Sequence, residues 1–254
     1  MVTYYKNDKI IDTIGYEVFF TRYADSILNY HFNEARLELI KILEDFFISE
    51  DQIVEGGGGL SSITQRLGQA LKDKKWLKEN IEITQHVRGK VLGSESHEVD
   101  HYKSFNQGNI CLEIEWNNKD PFYDRDLENF RKLHQLGELS LGIIITRGAS
   151  LQIELLKVFL RFLASIYPFT IEKLCEHIFL STKDQAIIKP MIALPREKSL
   201  SMIASKIYTS KYGSTTTHME KLLLRIDRGV GNPCPLILIG IGKERIKYSY
   251  DVQI

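Results

Sequence analysis

Residues 109–119 read NICLEIEWNNK, and the fold turns on this stretch. Ile110, Leu112, Ile114 and Trp116 fall on one side of an extended chain, and Cys111, Glu113, Glu115 and Asn117 on the other. That two-residue period is a β-strand, ended by Asp120-Pro121. Upstream, Val99 to Tyr102 reads as a strand that can pair with it, and Ile81 to Val91 alternates weakly, as a further strand. Downstream, Leu127, Phe130, Leu133 and Leu136 repeat at helical spacing, so Asp124 to Leu136 is a helix closed by Gly137. Leu139 to Thr146 is a near-continuous apolar run, the mark of a strand buried on both faces. A long helix follows over Leu151 to Ser165, another over Ile171 to Phe179, and a second buried strand over Leu236 to Ile241. Strands separated by helices predict an α/β protein, a mixed central sheet flanked by helices.

The N-terminal third reads differently. Leu37, Ile40, Leu43, Phe46 and Phe47 predict one helix over Asn33 to Ile48. Gly56 to Gly59 reads as a mobile loop, and Ser61 or Ser62 opens a helix through Leu67, Ala70 and Leu71. Lys72 to Lys78 reads as a solvated face. No linker divides the chain. The organisation expected is a single domain over 1–254, with 1–95 mainly helical and 96–254 holding the chemistry.

The 254 residues carry 33 Lys and Arg against 33 Asp and Glu, which excludes a basic field over the whole surface. A nucleic-acid partner must therefore be held by a local patch. Cys111, Cys175 and Cys234 are widely spaced in apolar surroundings and read as reduced. Charges at Lys6, Asp8, Lys9 and Asp12 leave no signal-peptide core, and Glu154, Lys157 and Arg161 make the longest apolar segment an amphipathic helix. A cytoplasmic protein without membrane contact is expected.

Asp100 lies at the end of one strand, and Glu113 and Glu115 stand two apart on the next. Their side chains leave the same face, roughly 6.5 to 7 Å apart at the backbone. If a hairpin joins the strands, three carboxylates converge. With the backbone carbonyl of Ile114, Asp100 and Glu113 would form a hard oxygen site suited to Mg²⁺. Glu115 would orient or deprotonate a water. From spacing alone the bland alternative, Glu113 and Glu115 facing solvent, is favoured, because E-x-E on a half-exposed strand is common. Buried flanking strands and the polar run Trp116 to Asp120 weigh against it.

A second region stands out. Arg196 to Arg228 holds seven Lys and Arg against Glu197, Glu220 and Asp227. It contains Lys211, Arg228, the hydroxyl run Ser214, Thr215, Thr216 and Thr217, and His218, all suitable donors to phosphates and base edges. Asn117, Asn118 and Lys119 follow the acidic strand directly, and Asn can pair with adenine in the major groove. Turn formation before Asp120-Pro121 explains the same asparagines. Arg125, within Asp124-Arg125-Asp126, reads as pairing with its neighbours. His97 and His101 would share a strand face but stand too far apart for one ion, so zinc is not expected. Gly-x-Ser-x-Gly is absent, and Gly56 to Gly59 lacks the Gly-Lys-Ser/Thr of a nucleotide-binding loop.

Asp100, followed by Glu113-Ile114-Glu115, resembles the PD-(D/E)xK nuclease signature in the variant with Glu or Gln at the lysine position. SHEVDHYKSFNQGNICLEIEWNNKDPF (96–122), GELSLGIIITRG (137–148) and DRGVGNPCPLILIGIG (227–242) are similar to type II restriction endonucleases of the BglII and BstYI kind. GLSSITQRLGQALKDKKWLKE (59–79) resembles the region before their catalytic core. The resemblance implies a PD-(D/E)xK restriction endonuclease-like core. It further implies a homodimer that encloses double-stranded DNA and cuts a short palindromic site with Mg²⁺ and a metal-activated water. Asp100 and Glu113 carry over as metal ligands, and Glu115 as the residue at the lysine position. A further acid from a preceding helix is expected, and Glu38 and Glu44 are candidates. The competing readings are a non-catalytic DNA-binding module with a degenerate nuclease fold, and a two-carboxylate glycosidase. The glycosidase needs acids facing each other across a cleft, which an E-x-E pair on one strand does not supply.

Overall fold

The computed structural model describes residues 4–7, 11, 14–55 and 61–249. The Gly56 to Gly59 run and most of the Met1 to Asp12 segment lie outside the described residues. The sheet is built from β1 (Tyr4–Tyr5), β2 (Tyr16–Thr21), β4 (Leu77–Val87), β5 (Lys90–Phe105), β6 (Gly108–Glu115), β7 (Leu141–Arg147) and β8 (Leu236–Ile241), in the order β1-β2-β8-β7-β6-β5-β4. A separate short parallel pair joins β3 (Ile48–Ser49) to β9 (Ile246–Lys247). The helices are α1 (Ala24–His31), α2 (Asn33–Asp45), α3 (Glu50–Glu55), α4 (Ser62–Asp73), α5 (Phe122–Gln135), α6 (Ala149–Ser165), α7 (Ile171–His177), α8 (Thr182–Ile192), α9 (Arg196–Tyr212) and α10 (Met219–Asp227). Among the described residues, no helix is long and apolar enough to cross a membrane.

The three central strands β6, β7 and β8 run parallel, and β2 and β5 pair antiparallel on either side. Parallel neighbours need crossovers. The first is α5, between β6 and β7; the second is the helical stretch from α6 to α10, between β7 and β8. Both faces of the central strands are therefore covered, and every residue of β7 is buried. One face packs Leu112, Ile114, Ile143, Ile145 and Ile239 of the sheet against Leu39, Leu67, Leu155 and Phe159 of α2, α4 and α6. The opposite face packs Cys111, Ile144 and Leu238 against Leu127, Phe130 and Leu222 of α5 and α10. Each such side chain, fully buried, contributes about 1.5 to 3 kcal/mol.

The entry of α6 shows how tightly these layers are joined. Both oxygens of Glu17 on β2 accept from the helix start, from the amides of Ala149 and Ser150 at 2.9 Å and the Ser150 hydroxyl at 2.8 Å. Those amides have no partner within the helix. A Cβ on Gly148 would stand 2.8 Å from the Glu17 carboxylate, so the capping contact requires glycine there.

Several expectations need correction. The helix predicted over Asn33 to Ile48 ends at Asp45, and its buried face is Ala35, Leu39, Ile42 and Leu43, while Leu37 is exposed. The chain extends after Asp45 because Ile48 pairs with Ile246. The strand predicted over Ile81 to Val91 is two strands. Val87 pairs with Lys90 around a two-residue turn, and Arg88 and Gly89 both have positive φ, the geometry of a tight hairpin. This β4–β5 ribbon is exposed over most of its length, so neither face shows the apolar alternation that reveals a half-buried strand. The region expected to be mainly helical also contributes β2 to the sheet.

Candidate active site

The β5–β6 hairpin is present, with His101 opposite Leu112 and Lys103 opposite Ile110. On its other side β5 pairs with β4 through a register shift: Leu77 faces Tyr102 but Glu79 faces Val99. One extra residue of β5 is accommodated there, a bulge at Asp100 and His101. Bulges re-aim side chains and end pairing, often beside active sites. The bulge puts Val99 and Tyr102 in the same core, and it places His97 and His101 on opposite faces of the sheet. The shared face expected for the two histidines assumed an unbroken two-residue period.

A cleft of about 420 Å³ opens at this point. Its walls include Asp100 and His97 of β5, Glu113 and Glu115 of β6, Asn118, and Phe122 and Arg125 of α5. Glu113 and Glu115 are 5% and 3% exposed, so they do not face solvent from a half-exposed strand. The Asp100 amide donates to Glu113 Oε1 at 3.3 Å, and the Asn118 Nδ2 donates to Glu115 Oε2 at 2.9 Å. Arg125 approaches Glu115 at 3.9 Å but is bound closely to Asp126, at 2.7 Å. Its pairing with a sequence neighbour is as expected.

Asp126 is the feature that the sequence pattern does not reveal. It faces inward from the first turns of α5, it is 2% exposed, and its Oδ2 receives no N–H. Its carboxyl lies against that of Glu115. The signal available is its place in the helical period, one residue before Leu127, but Asp124-Arg125-Asp126 reads equally as a solvated cluster. Glu38 and Glu44 are not brought to the cleft. Glu38 accepts from the Trp76 indole at 2.9 Å and from Lys103 Nζ at 2.7 Å. Lys103 is opposite Ile110, so Glu38 sits on the far face of the sheet. Glu44 is exposed at the end of α2.

Burial raises the pKa of Glu113 well above the ordinary carboxylate value, and the charges of Asp126 and Asp100 push it further. Burial, then the Asp126 carboxyl, raise Glu115 to about 9. Burial also raises Asp126, against the pull of Glu115 and Arg125. The cleft thus concentrates acid oxygen with one guanidinium nearby. Such a cluster takes up protons or a cation. Hard oxygen donors in this number suit a divalent ion that keeps some of its waters. Among the described residues no group of three His, Cys, Asp or Glu side chains stands ready-made around one point. The fit accordingly rests on Asp100, Glu113 and the backbone between the two glutamates.

The residues expected to meet DNA divide into two groups. Lys119, Ser214, Thr215 and Arg228 are exposed. The others are engaged inside the molecule. Asn117 Nδ2 donates to the Lys211 carbonyl at 2.9 Å, and Lys211 Nζ donates to the Glu55 carbonyl at 2.9 Å. Thr217 is fully buried and exchanges bonds with Asn118, whose amide donates to Thr217 Oγ1 at 3.1 Å while the Thr217 amide donates to the Asn118 carbonyl at 2.9 Å. Thr216 Oγ1 accepts from Arg147 at 2.7 Å. His218 immediately precedes α10 and is buried, which lowers its pKa to about 4. Arg228 stands at the other end of α10, ~15 Å from His218 at the rise of a helix.

A mixed sheet with an acidic cleft on its antiparallel hairpin is consistent with an α/β fold of the restriction endonuclease class. A sequence model of the restriction endonucleases BglII and BglIII matches residues 16–241, and the chain belongs to that family. It is a type II site-specific deoxyribonuclease that acts on double-stranded DNA. The family generally uses divalent metal ions. No individual curated protein gave a match.

Proposed function

We propose that the chain hydrolyses phosphodiester bonds at a short palindromic site in duplex DNA, with Mg²⁺ as cofactor and Asp100, Glu113 and Glu115 as its catalytic residues. The observation that carries this is the burial of Glu113 and Glu115 in one cleft with Asp100, where the neighbouring guanidinium, Arg125, is committed to Asp126. Asp100, Glu113 and the Ile114 carbonyl would hold the ion. When bound, it supplies positive charge beside the scissile phosphate and lowers the pKa of an adjacent water.

The residues of the chain do the rest. The bulge fixes the Asp100 backbone against Glu113. Asn118 fixes one oxygen of Glu115, and once a cation's charge has drawn off the proton that burial and Asp126 hold there, the carboxylate can orient or deprotonate a water. Phe122 and Arg125 close the cleft from the side of α5. Each chain brings one such cleft among its described residues, whereas a double-strand break needs two. A two-fold homodimer on a two-fold site supplies both.

The test uses Asp100→Asn and Glu113→Gln. Each is expected to lower the cleavage rate in Mg²⁺ by about 100-fold or more, the scale of losing a metal's charge at the reacting phosphate. DNA binding in Ca²⁺ is expected to persist. Cleavage by Asp100→Asn at the parent rate would remove Asp100 from the site.

A further inference from the structure

The loop between α9 and α10 is bound to the segment that follows β6 as if the two were one piece. Residues 117–120 lie against 215–217: the Thr217 amide donates to the Asn118 carbonyl, the Asp120 amide donates to the Thr215 carbonyl at 2.9 Å, and Lys119 and Thr216 form an isolated bridge. Asn118 then continues into the cleft through its Nδ2 bond to Glu115. From below, Arg147 at the end of β7 donates to the Thr217 carbonyl at 2.6 Å and to Thr216 Oγ1 at 2.7 Å. Arg147 is fully buried, with no carboxylate bonded to it among the described residues, and lies over the Tyr212 and Trp116 rings. A buried cation held only by carbonyl, hydroxyl and ring faces is a costly arrangement for mere packing.

We propose that Thr217 and Asn118 are positioning residues that set the Glu115 carboxylate according to the seat of the 213–218 loop, with Arg147 as the anchor of that loop. Within this loop, Ser214 and Thr215, the exposed tip, are the groups left to touch DNA. The path from Thr217 through Asn118 to Glu115 is already closed in this structure, so a duplex that seats the tip in place keeps Glu115 set. A duplex that displaces the tip is bound but breaks that path and leaves Glu115 unset. This assignment rests on Glu115 being a catalytic residue.

The test compares Thr217→Val, Thr217→Ser and Asn118→Ala on a plasmid that the parent protein cuts, and on a short duplex spanning a mapped cut. Thr217→Val keeps the side-chain shape but removes the oxygen that accepts the Asn118 amide. It and Asn118→Ala are expected to lower kcat in Mg²⁺ by about ten-fold, on the scale of one lost positioning bond, with Kd for the duplex in Ca²⁺ unchanged. Thr217→Ser is expected to restore kcat. The double variant Thr217→Val with Asn118→Ala is expected to be no slower than Asn118→Ala alone, because both lie on one path. Parent-like kcat in Thr217→Val, or a Kd that weakens in step with kcat, would overturn the proposal. So would a Thr217→Ser protein as slow as Thr217→Val. Glu115→Ala serves as the separate control: parent-rate cleavage there would overturn the catalytic reading itself, whatever the other variants do.

Discussion

Glu115 is buried beside a second carboxyl, that of Asp126. Its proton is held by burial and by the Asp126 carboxyl, up to about 9. In an unfolded chain it titrates near an ordinary carboxylate value, about 4.3. Between those values the folded, metal-free protein binds more protons than the unfolded chain. Its stability should therefore fall as pH rises through that window, by at most about 1.4 kcal/mol per pH unit for one group. Glu115→Gln removes the titration and is expected to flatten the slope, as measured by denaturant midpoints in EDTA from about pH 5 to pH 9. A cation displaces the same proton, so metal affinity is expected to rise with pH over the same range. At this scale the sequence is informative in part. The E-x-E spacing places Glu113 and Glu115 on one face, because strand alternation is local geometry. The bulge at Asp100 and the inward turn of Asp126 are set by contacts with β4 and β6, which no local pattern contains.

At the scale of elements, long periodic segments are legible and exposed or short ones are not. α5, α6, β7 and β8 sit within a few residues of their expected bounds, since each has a continuous buried face. The turn at Arg88 and Gly89 goes unread, and Ile81 to Val91 reads as one strand, because solvent surrounds both faces of the β4–β5 ribbon there. β2 escapes the pattern, although its Glu17 is the group that fixes the start of α6. Glu17→Ala removes the acceptor for two amides and a hydroxyl of α6. It is expected to destabilise the fold by about 1 to 2 kcal/mol, the cost of a lost helix cap, read as a lower urea midpoint with unchanged m-value. An unchanged midpoint would mean that water replaces the carboxylate without loss. The hydroxyl run 214–217 shows the reverse error. Its composition suggests a surface for DNA, yet Thr216 and Thr217 are engaged with Arg147 and Asn118, because a loop that ties two crossovers together must satisfy its own backbone.

For the whole molecule, a neutral net charge and a mixed sheet with helices on both faces describe many proteins. The proposed function rests on where the acids sit: on the antiparallel hairpin beside the parallel core, between the α5 start and the loop that follows β6. That placement joins two tasks. One wall carries the carboxylates, and the adjoining segment is bonded to a hydroxyl-rich loop whose exposed tip the sequence marks as a DNA contact. The family assignment fixes the substrate as duplex DNA. A specific dependence on Mg²⁺ and on the three acids of the cleft is the central claim beyond it.

The most direct measurement is digestion of phage DNA by the purified protein in Mg²⁺ and in EDTA, resolved on a gel. Discrete fragments in Mg²⁺ that vanish in EDTA, with ends that sequencing maps to one palindrome, are the predicted result. DNA cut equally in EDTA would contradict the dependence on Mg²⁺, and DNA left intact in Mg²⁺ while still bound by the protein would contradict the account and favour a DNA-binding module with a degenerate nuclease fold.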